Sequence, residues 1–285
     1  MSIVFDVGVS QIIGDRDFQE DRFVVTDPAN TDLPFDKLDK ILVSVADGMG
    51  GEVGGEIASQ MASEAFARYV HKWYRQYDTV DVLRSALFKS NDVIAEKIEQ
   101  NSQLQGMGCT LVAAMVSRGQ LYWISVGDSH LYLIRNENLI KLNENHSYGA
   151  ELDYQVKAGL LDEEIAVSNP DRNALNSCIV GEDIPFIDLP FEPTNLQPDD
   201  RILLASDGLD TLLENEIIDV NNDSQSAQNF ADNLVKYVEL KKSPEQDNTL
   251  VVVVELKKNL AKNKNLDESM ESKTIKTVKI EKPKS

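Results

Sequence analysis

The sequence is poor in the residues that build several common kinds of site. It has two cysteines, Cys109 and Cys178, in 285 residues and no CxxC pair. A disulfide framework or a thiolate zinc site therefore lacks its ligands. Each cysteine sits among apolar or small neighbours and reads as a buried thiol in a reducing compartment. Only three histidines are present, His71, His130 and His146, so imidazoles are few beside the carboxylate oxygens as candidate metal ligands. Basic residues are scarce too: 28 Lys+Arg against 48 Asp+Glu leave a net charge of −20. A nucleic-acid binder needs a basic footprint, and an anionic membrane would repel this body, so neither partner is expected. No apolar run approaches the roughly 18 residues of a membrane span. The first residues lack the basic-then-apolar order of a signal peptide. The expectation is a soluble cytoplasmic protein.

A hydrophobic fraction of 42% is enough for a substantial core. The charge is uneven. Residues 257–285 hold nine lysines against four acids, so an acidic body (residues 1–256, −25) precedes a basic, aromatic-free tail (+5) that reads as disordered. In the body, residues 3–9 alternate with period two, residues 23–26 look like a neighbouring strand, and residues 41–45 form a compact β-rich run. Two amphipathic helices are expected next. The first, over 56–75, has the stripe Ile57, Met61, Ala65, Tyr69, Trp73, widened by Ala58, Ala62, Phe66 and Val70. The second, over 81–100, shows Leu83, Leu87, Ile94 and Ile98. Closely spaced strands over 110–142 require antiparallel pairing. A short helix near 150–158, a strand at 201–205, a helix over 226–240 and a strand at 249–256 complete the body. This order predicts an α+β fold, an antiparallel β-sandwich covered by helices, rather than a doubly wound parallel sheet.

Four aspartates share one context. Asp47, Asp128 and Asp207 follow apolar β runs and Asp247 precedes one. Singly, each is an ordinary strand-end turn signal. Together they can converge on one rim, where clustered carboxylates repel unless a cation lies between them. Oxygen ligands of this kind suit Mg²⁺ or Mn²⁺. The glycine-rich stretch 48–55 is no phosphate cradle: it lacks GxxxxGK[ST], and its acids would repel phosphate. Asp47 and the Gly48 carbonyl read better as metal ligands, with glycines admitting a close main-chain approach.

Read in order, GDRDFQED (14–21), ADGMGG (46–51), GCT (108–110), VGDS (126–129), HS (146–147), ASDGL (205–209) and DN (247–248) resemble the metal-dependent serine/threonine protein phosphatases of the 2C type, in their compact bacterial form. The likeness spans about residues 8–256. It implies four layers, two stacked antiparallel sheets flanked by helices, with a two-metal Mn²⁺ or Mg²⁺ centre at one end. By position, Asp47 would bridge the metals, joined at one of them by the Gly48 carbonyl, and Asp207 and Asp247 would hold the other. Glu20 and Asp21 would act through water, Asp128 with Asp207 would bind a third metal, and Arg16 would bind phosphate. The implied reaction is in-line attack on phosphorus by a hydroxide shared between two metals, with no protein nucleophile.

Some positions depart from the family pattern. Met49 stands where many relatives have a histidine, His130 where arginine is common, Asn145 where aspartate is usual and Gln19 where asparagine is usual. None removes a matched ligand. The implied substrates are phosphoserine and phosphothreonine proteins, the implied counterpart is a Ser/Thr kinase, and the chain is expected to act as a monomer. A silent phosphatase-like binding module and a small-molecule phosphoesterase are the alternatives.

Overall fold

The apolar runs at 41–46, 202–205 and 250–254 show little polar alternation because both of their faces are covered. The computed structural model describes residues 3–27 and 40–258. One five-stranded antiparallel sheet joins β1 (Ile3–Ile12), β12 (Thr249–Lys258), β11 (Arg201–Ala205), β8 (His130–Arg135) and β9 (Asn138–Lys141), in that order. The other joins β10 (Thr194–Asn195), β7 (Gln120–Val126), β6 (Leu111–Ser117), β3 (Lys40–Ala46) and β2 (Arg22–Thr26). A two-residue ladder pairs β4 (Gly48–Met49) with β5 (Gly108–Cys109).

Alternate residues of the same strands feed three separate cores. Ile41, Val43 and Val45 of β3 meet Ile202, Leu204, Val252 and Val254 between the sheets. Leu42 and Ala46 face outward, onto α1 (Gly51–Trp73) and α2 (Thr79–Gln100), where Phe66, Leu83 and Leu87 are fully buried. Leu203, Ala205, Val251 and Val253 face the opposite way, onto α5 (Glu214–Asn222) and α6 (Ala227–Lys241) through Ile217, Phe230 and Leu234. Each such side chain contributes about 1.5–3 kcal/mol by leaving water. The result is the expected four-layer arrangement of helices, sheet, sheet and helices. Among the described residues, no helix is long and apolar enough to cross a membrane.

Several local expectations are corrected. Strands β1 and β2 are not partners, because the segment between them crosses from one sheet to the other. The run over 110–142 likewise splits, β6–β7 lying in one sheet and β8–β9 in the other, with the turn at residues 127–129 as the crossing. On α1 the widening residues Ala58, Ala62, Phe66 and Val70 are buried, as is Ala65 of the main stripe, while Ile57, Met61, Tyr69 and Trp73 pack at the margin. That helix also starts five residues early, because Gly51–Gly55 adopt helical geometry despite poor propensity. Helix α5 is not among the expected elements; it is short and buries only Ile217 and Val220. The short helix near 150–158 is α3 (Tyr148–Lys157), capped by Ser147. Strand β12 continues to Lys258, two residues into the segment read as tail, and residues 259–285 lie outside the described ones.

Candidate metal centre

One rim of the sandwich gathers the C-terminal ends of β1, β3, β7 and β11 and the starts of β8 and β12. The side chains placed there by separate strands are those marked in the sequence. Arg16, Glu20, Asp47, Gly48, Asp128, Asp207 and Asp247 all line one open cleft of about 480 Å³. Asp21 lies beneath it, 1% exposed, with Oδ2 accepting from Ser206 Oγ at 2.7 Å.

Each position has a local cause. Asp47 follows β3 and is tied to the start of β6: its N–H donates to Thr110 Oγ1 at 3.0 Å, and the Thr110 N–H returns a bond to its carbonyl at 2.9 Å. Thr110 Oγ1 also shares a 2.7 Å hydrogen bond with Ser129 Oγ, which fixes the neighbour of Asp128. Asp207 opens a 3₁₀ turn after β11, stabilised by Gly208; a Cβ on that glycine would lie 2.1 Å from the Asn248 carbonyl. The Glu20 carboxylate sits against Gly55, in the early part of α1, where an added Cβ would stand 2.3 Å from Glu20 Oε1. Gly48 is enclosed so tightly that a Cβ would stand 2.2 Å from the Gly55 carbonyl and 2.7 Å from that of Glu20.

Burial raises the carboxyls. Asp21 is pushed up to about 7, chiefly by burial and also by Asp247, against the Ser206 hydrogen bond. Asp207 is pushed up to about 7 by burial and then by Asp128, Asp247 and Asp21. Asp47 stands well above the carboxylate range, by burial and then repulsion from Asp21 and Asp207. Asp128 and Glu20 are raised mainly by burial. The positive charge at the cleft mouth is Arg16, whose guanidinium contacts the Asp247 carboxylate.

These residues fit divalent cations. Asp21 Oδ1 and Asp207 Oδ1 are buried without a hydrogen-bond partner, which costs free energy unless something supplies the missing partner. Cation charge also offsets the mutual repulsion of the carboxylates. Every candidate donor is a hard oxygen atom, and none is a thiolate or imidazole. Among the described residues no three His, Cys, Asp or Glu side chains are already drawn around one point.

The structure adds residues that sequence reasoning passed over. Thr110, Ser206 and Asn248 lie inside the recognised motifs, yet their work is hydrogen bonding to backbone and to carboxylates, which spacing does not display. Asn173 and Leu175 also line the cleft, from the segment after α4 (Glu163–Val167). Neighbouring Arg172 instead turns to Asp153, with hydrogen bonds of 2.8 and 3.0 Å. Two histidines act near the cleft without lining it. His146 Nδ1 accepts the Gly127 N–H at 3.2 Å, and buried His130 stands 2.9 Å from Asp210 and 3.1 Å from Lys141 Nζ. His71 is on the surface. Cys109 is buried as expected, but Cys178 is only half-buried; burial pushes its thiol up to about 11, so it is a poor nucleophile.

The protein phosphatase 2C family model matches residues 32–261. The serine/threonine phosphatase stp of Listeria welshimeri is 32% identical over 230 residues, covering 75% of this chain and 84% of that protein. Among solved structures, the Mycobacterium tuberculosis serine/threonine phosphatase PstP superposes with a TM-score of 0.74 at 27% identity, over 90% of this chain and 100% of that one. The PstP catalytic domain in complex with two manganese ions gives 0.72 at 26% identity, over the same shares of the two chains.

Proposed function

Because the chain belongs to the protein phosphatase 2C family and is a metal-dependent serine/threonine protein phosphatase, we propose that the rim cleft hydrolyses phosphoserine and phosphothreonine at a pair of divalent cations. The observation that carries this reading is the convergence of Asp47, Asp128, Asp207, Asp247 and Glu20 on one cleft with Arg16 at its mouth.

In this reading Asp47 would help hold both ions, with the Gly48 carbonyl assisting at one of them. Asp207 and Asp247 hold the other. Glu20 and Asp21 act through ordered water, and Asp128 with Asp207 forms a third position. Mn²⁺ or Mg²⁺ held here would supply Lewis acidity and lower the pKa of a bound water. Arg16 offers planar paired donors to the phosphate oxygens, a geometry that lysine does not match. Among the described residues no histidine lines the cleft, and Met49 occupies the loop after Asp47, so the leaving oxygen takes its proton from water or from the substrate's surroundings. The physiological role is to reverse a Ser/Thr kinase on phosphoproteins, in the cytoplasm and as a monomer. The catalytic domain runs to the end of β12 at Lys258, and the lysine-rich tail beyond it is dispensable for the chemistry.

The test is hydrolysis of p-nitrophenyl phosphate with Mn²⁺, with and without EDTA, in wild type and Asp207→Asn. Turnover that EDTA abolishes and that Asp207→Asn lowers at least a hundredfold is expected. Folded wild type without Mn²⁺-dependent turnover would end the proposal. Phosphoproteomics of a strain lacking the gene identifies the substrates and the opposing kinase.

A further inference from the structure

A single buried amide holds the loop that carries Arg16. Asn248 is 4% exposed. Its Oδ1 accepts the Glu20 N–H at 2.7 Å, and its Nδ2 donates to the carbonyls of Ile13 at 2.7 Å and Phe18 at 3.0 Å. These backbone groups flank Arg16 on both sides, within the segment that links β1 to β2. Buried backbone groups need partners, and a side-chain amide both accepts and donates from one planar head. A carboxylate of the same size only accepts. The Asn248 N–H meanwhile donates to Asp247 Oδ1 at 2.7 Å. One residue thus orients Asp247 through its main chain and the Arg16 loop through its side chain.

The same junction is closed by backbone. The Asp15 N–H donates to the Gln246 carbonyl at 2.8 Å, and the Gln246 N–H donates to Asp15 Oδ2 at 3.2 Å. Gly14, at φ +64°, has no room for a Cβ, which would stand 2.3 Å from the Gln246 carbonyl. Arg16 itself is about half exposed and its guanidinium contacts the Asp247 carboxylate, so it is held from two sides, by that ion pair and by the loop beneath it.

We propose that Asn248 is a positioning residue for phosphate binding, acting through the Arg16 loop. The inference rests on the reading of Arg16 as the phosphate ligand. Displacing that loop by an ångström displaces the guanidinium with it, and misplacement on that scale is costly for binding.

The experiment uses the full chain with Mn²⁺ and measures p-nitrophenyl phosphate hydrolysis and inhibition by inorganic phosphate. It compares wild type, Asn248→Ala, Arg16→Ala and the double variant. Asn248→Ala should raise KM and the phosphate inhibition constant about tenfold with kcat within about threefold of wild type. In the Arg16→Ala background the same change should have less than a roughly twofold effect, since the two residues act as one unit. Asn248→Asp, which loses both donations at nearly constant volume, should behave like Asn248→Ala. Val252→Ala, a core change in the strand that follows Asn248, should lower stability and leave KM in place. An unchanged KM for Asn248→Ala, or effects that multiply independently with Arg16→Ala, would overturn the proposal and leave the phosphatase reading standing. An unchanged KM for Arg16→Ala would instead remove the reading it rests on. In metal-free wild type the Glu20 amide should exchange as slowly as the amides of β12; fast exchange would overturn the proposal even if the variants fail to fold.

Discussion

Asp47 and Thr110 hold each other by two reciprocal hydrogen bonds, from the Asp47 N–H to Thr110 Oγ1 at 3.0 Å and from the Thr110 N–H to the Asp47 carbonyl at 2.9 Å. The threonine hydroxyl also reaches Ser129 Oγ at 2.7 Å, so one oxygen connects the two strand ends that present Asp47 and Asp128. Thr110→Val keeps the shape and removes that oxygen, leaving a buried amide unpaired. A loss of about 1–3 kcal/mol in denaturant melts is expected. Weaker Mn²⁺ binding by calorimetry should accompany it, and Thr110→Ser should recover most of both. Equal Mn²⁺ affinity in Thr110→Val would show that Asp47 is placed by its strand alone.

The raised carboxyls predict an inverted pH dependence for the metal-free protein. Asp21 and Asp207 titrate near 7 when folded, against 3.8 for an ordinary aspartate. Between those values the folded state holds protons that the unfolded state releases, so stability is present below about pH 4 and is lost as pH rises toward 7. Each group contributes on the order of 1 kcal/mol per pH unit across that window. In EDTA, Asp207→Asn should therefore melt higher than wild type at pH 8, with the advantage shrinking by pH 5. Mn²⁺ should raise the wild-type Tm more at pH 8 than at pH 5. A variant that melts below wild type at pH 8 in EDTA would contradict the assignment.

Gly48 makes a steric prediction. A Cβ there meets the carbonyls of Gly55 and Glu20 at 2.2 and 2.7 Å, and both are backbone atoms that no side-chain rotation can move. Gly48→Ala should push the start of α1 away from Asp47 and lower kcat/KM at least tenfold, at a stability cost of about 1–3 kcal/mol. Activity within twofold of wild type would show that the loop can relax.

Much of this was legible because the rim is written in local signals. An aspartate at the end of an apolar run marks a strand end, and four such ends at one rim need only the sandwich topology to meet. Arg16, Glu20 and Asp21 were found through ordered motifs, since nothing in their own neighbourhood separates them from surface residues. Partner choice between strands was not legible: β1 and β2 look like a hairpin, and only the packing of both sheets sends them apart. The buried face of α1 was misplaced by about one residue's rotation because small Ala58 and Ala62 carry little hydrophobic signal, although they allow the closest approach. Gly51–Gly55 read as loop because glycine carries little helical signal, and the neighbours against which Gly54 and Gly55 sit, Met107 and Glu20, lie far away in sequence. Asn248 escaped notice because its value lies in pairing three backbone groups, and no spacing encodes that.

Arg135 and Asp200 allow fold and site to be separated. Asp200 is buried, at 2% exposure, and accepts from Arg135 Nε at 2.9 Å, Arg135 Nη2 at 2.6 Å and the Gln197 N–H at 2.7 Å. Arg135 ends β8 and Asp200 precedes β11, so the pair lies at the end of the sandwich opposite Asp128 and Asp207, which sit at the other ends of those strands. Removing the guanidinium leaves a buried carboxylate without its counter-ion, which typically costs 3–5 kcal/mol, and about 2–4 kcal/mol is expected here because Arg135 is partly exposed. Arg135→Ala should therefore lower the denaturation midpoint clearly while KM, kcat and Mn²⁺ affinity of the remaining folded protein stay within about twofold of wild type. If they shift with stability, the two ends of the sandwich are coupled, and the kinetic tests at the rim need a stability-matched control for every variant.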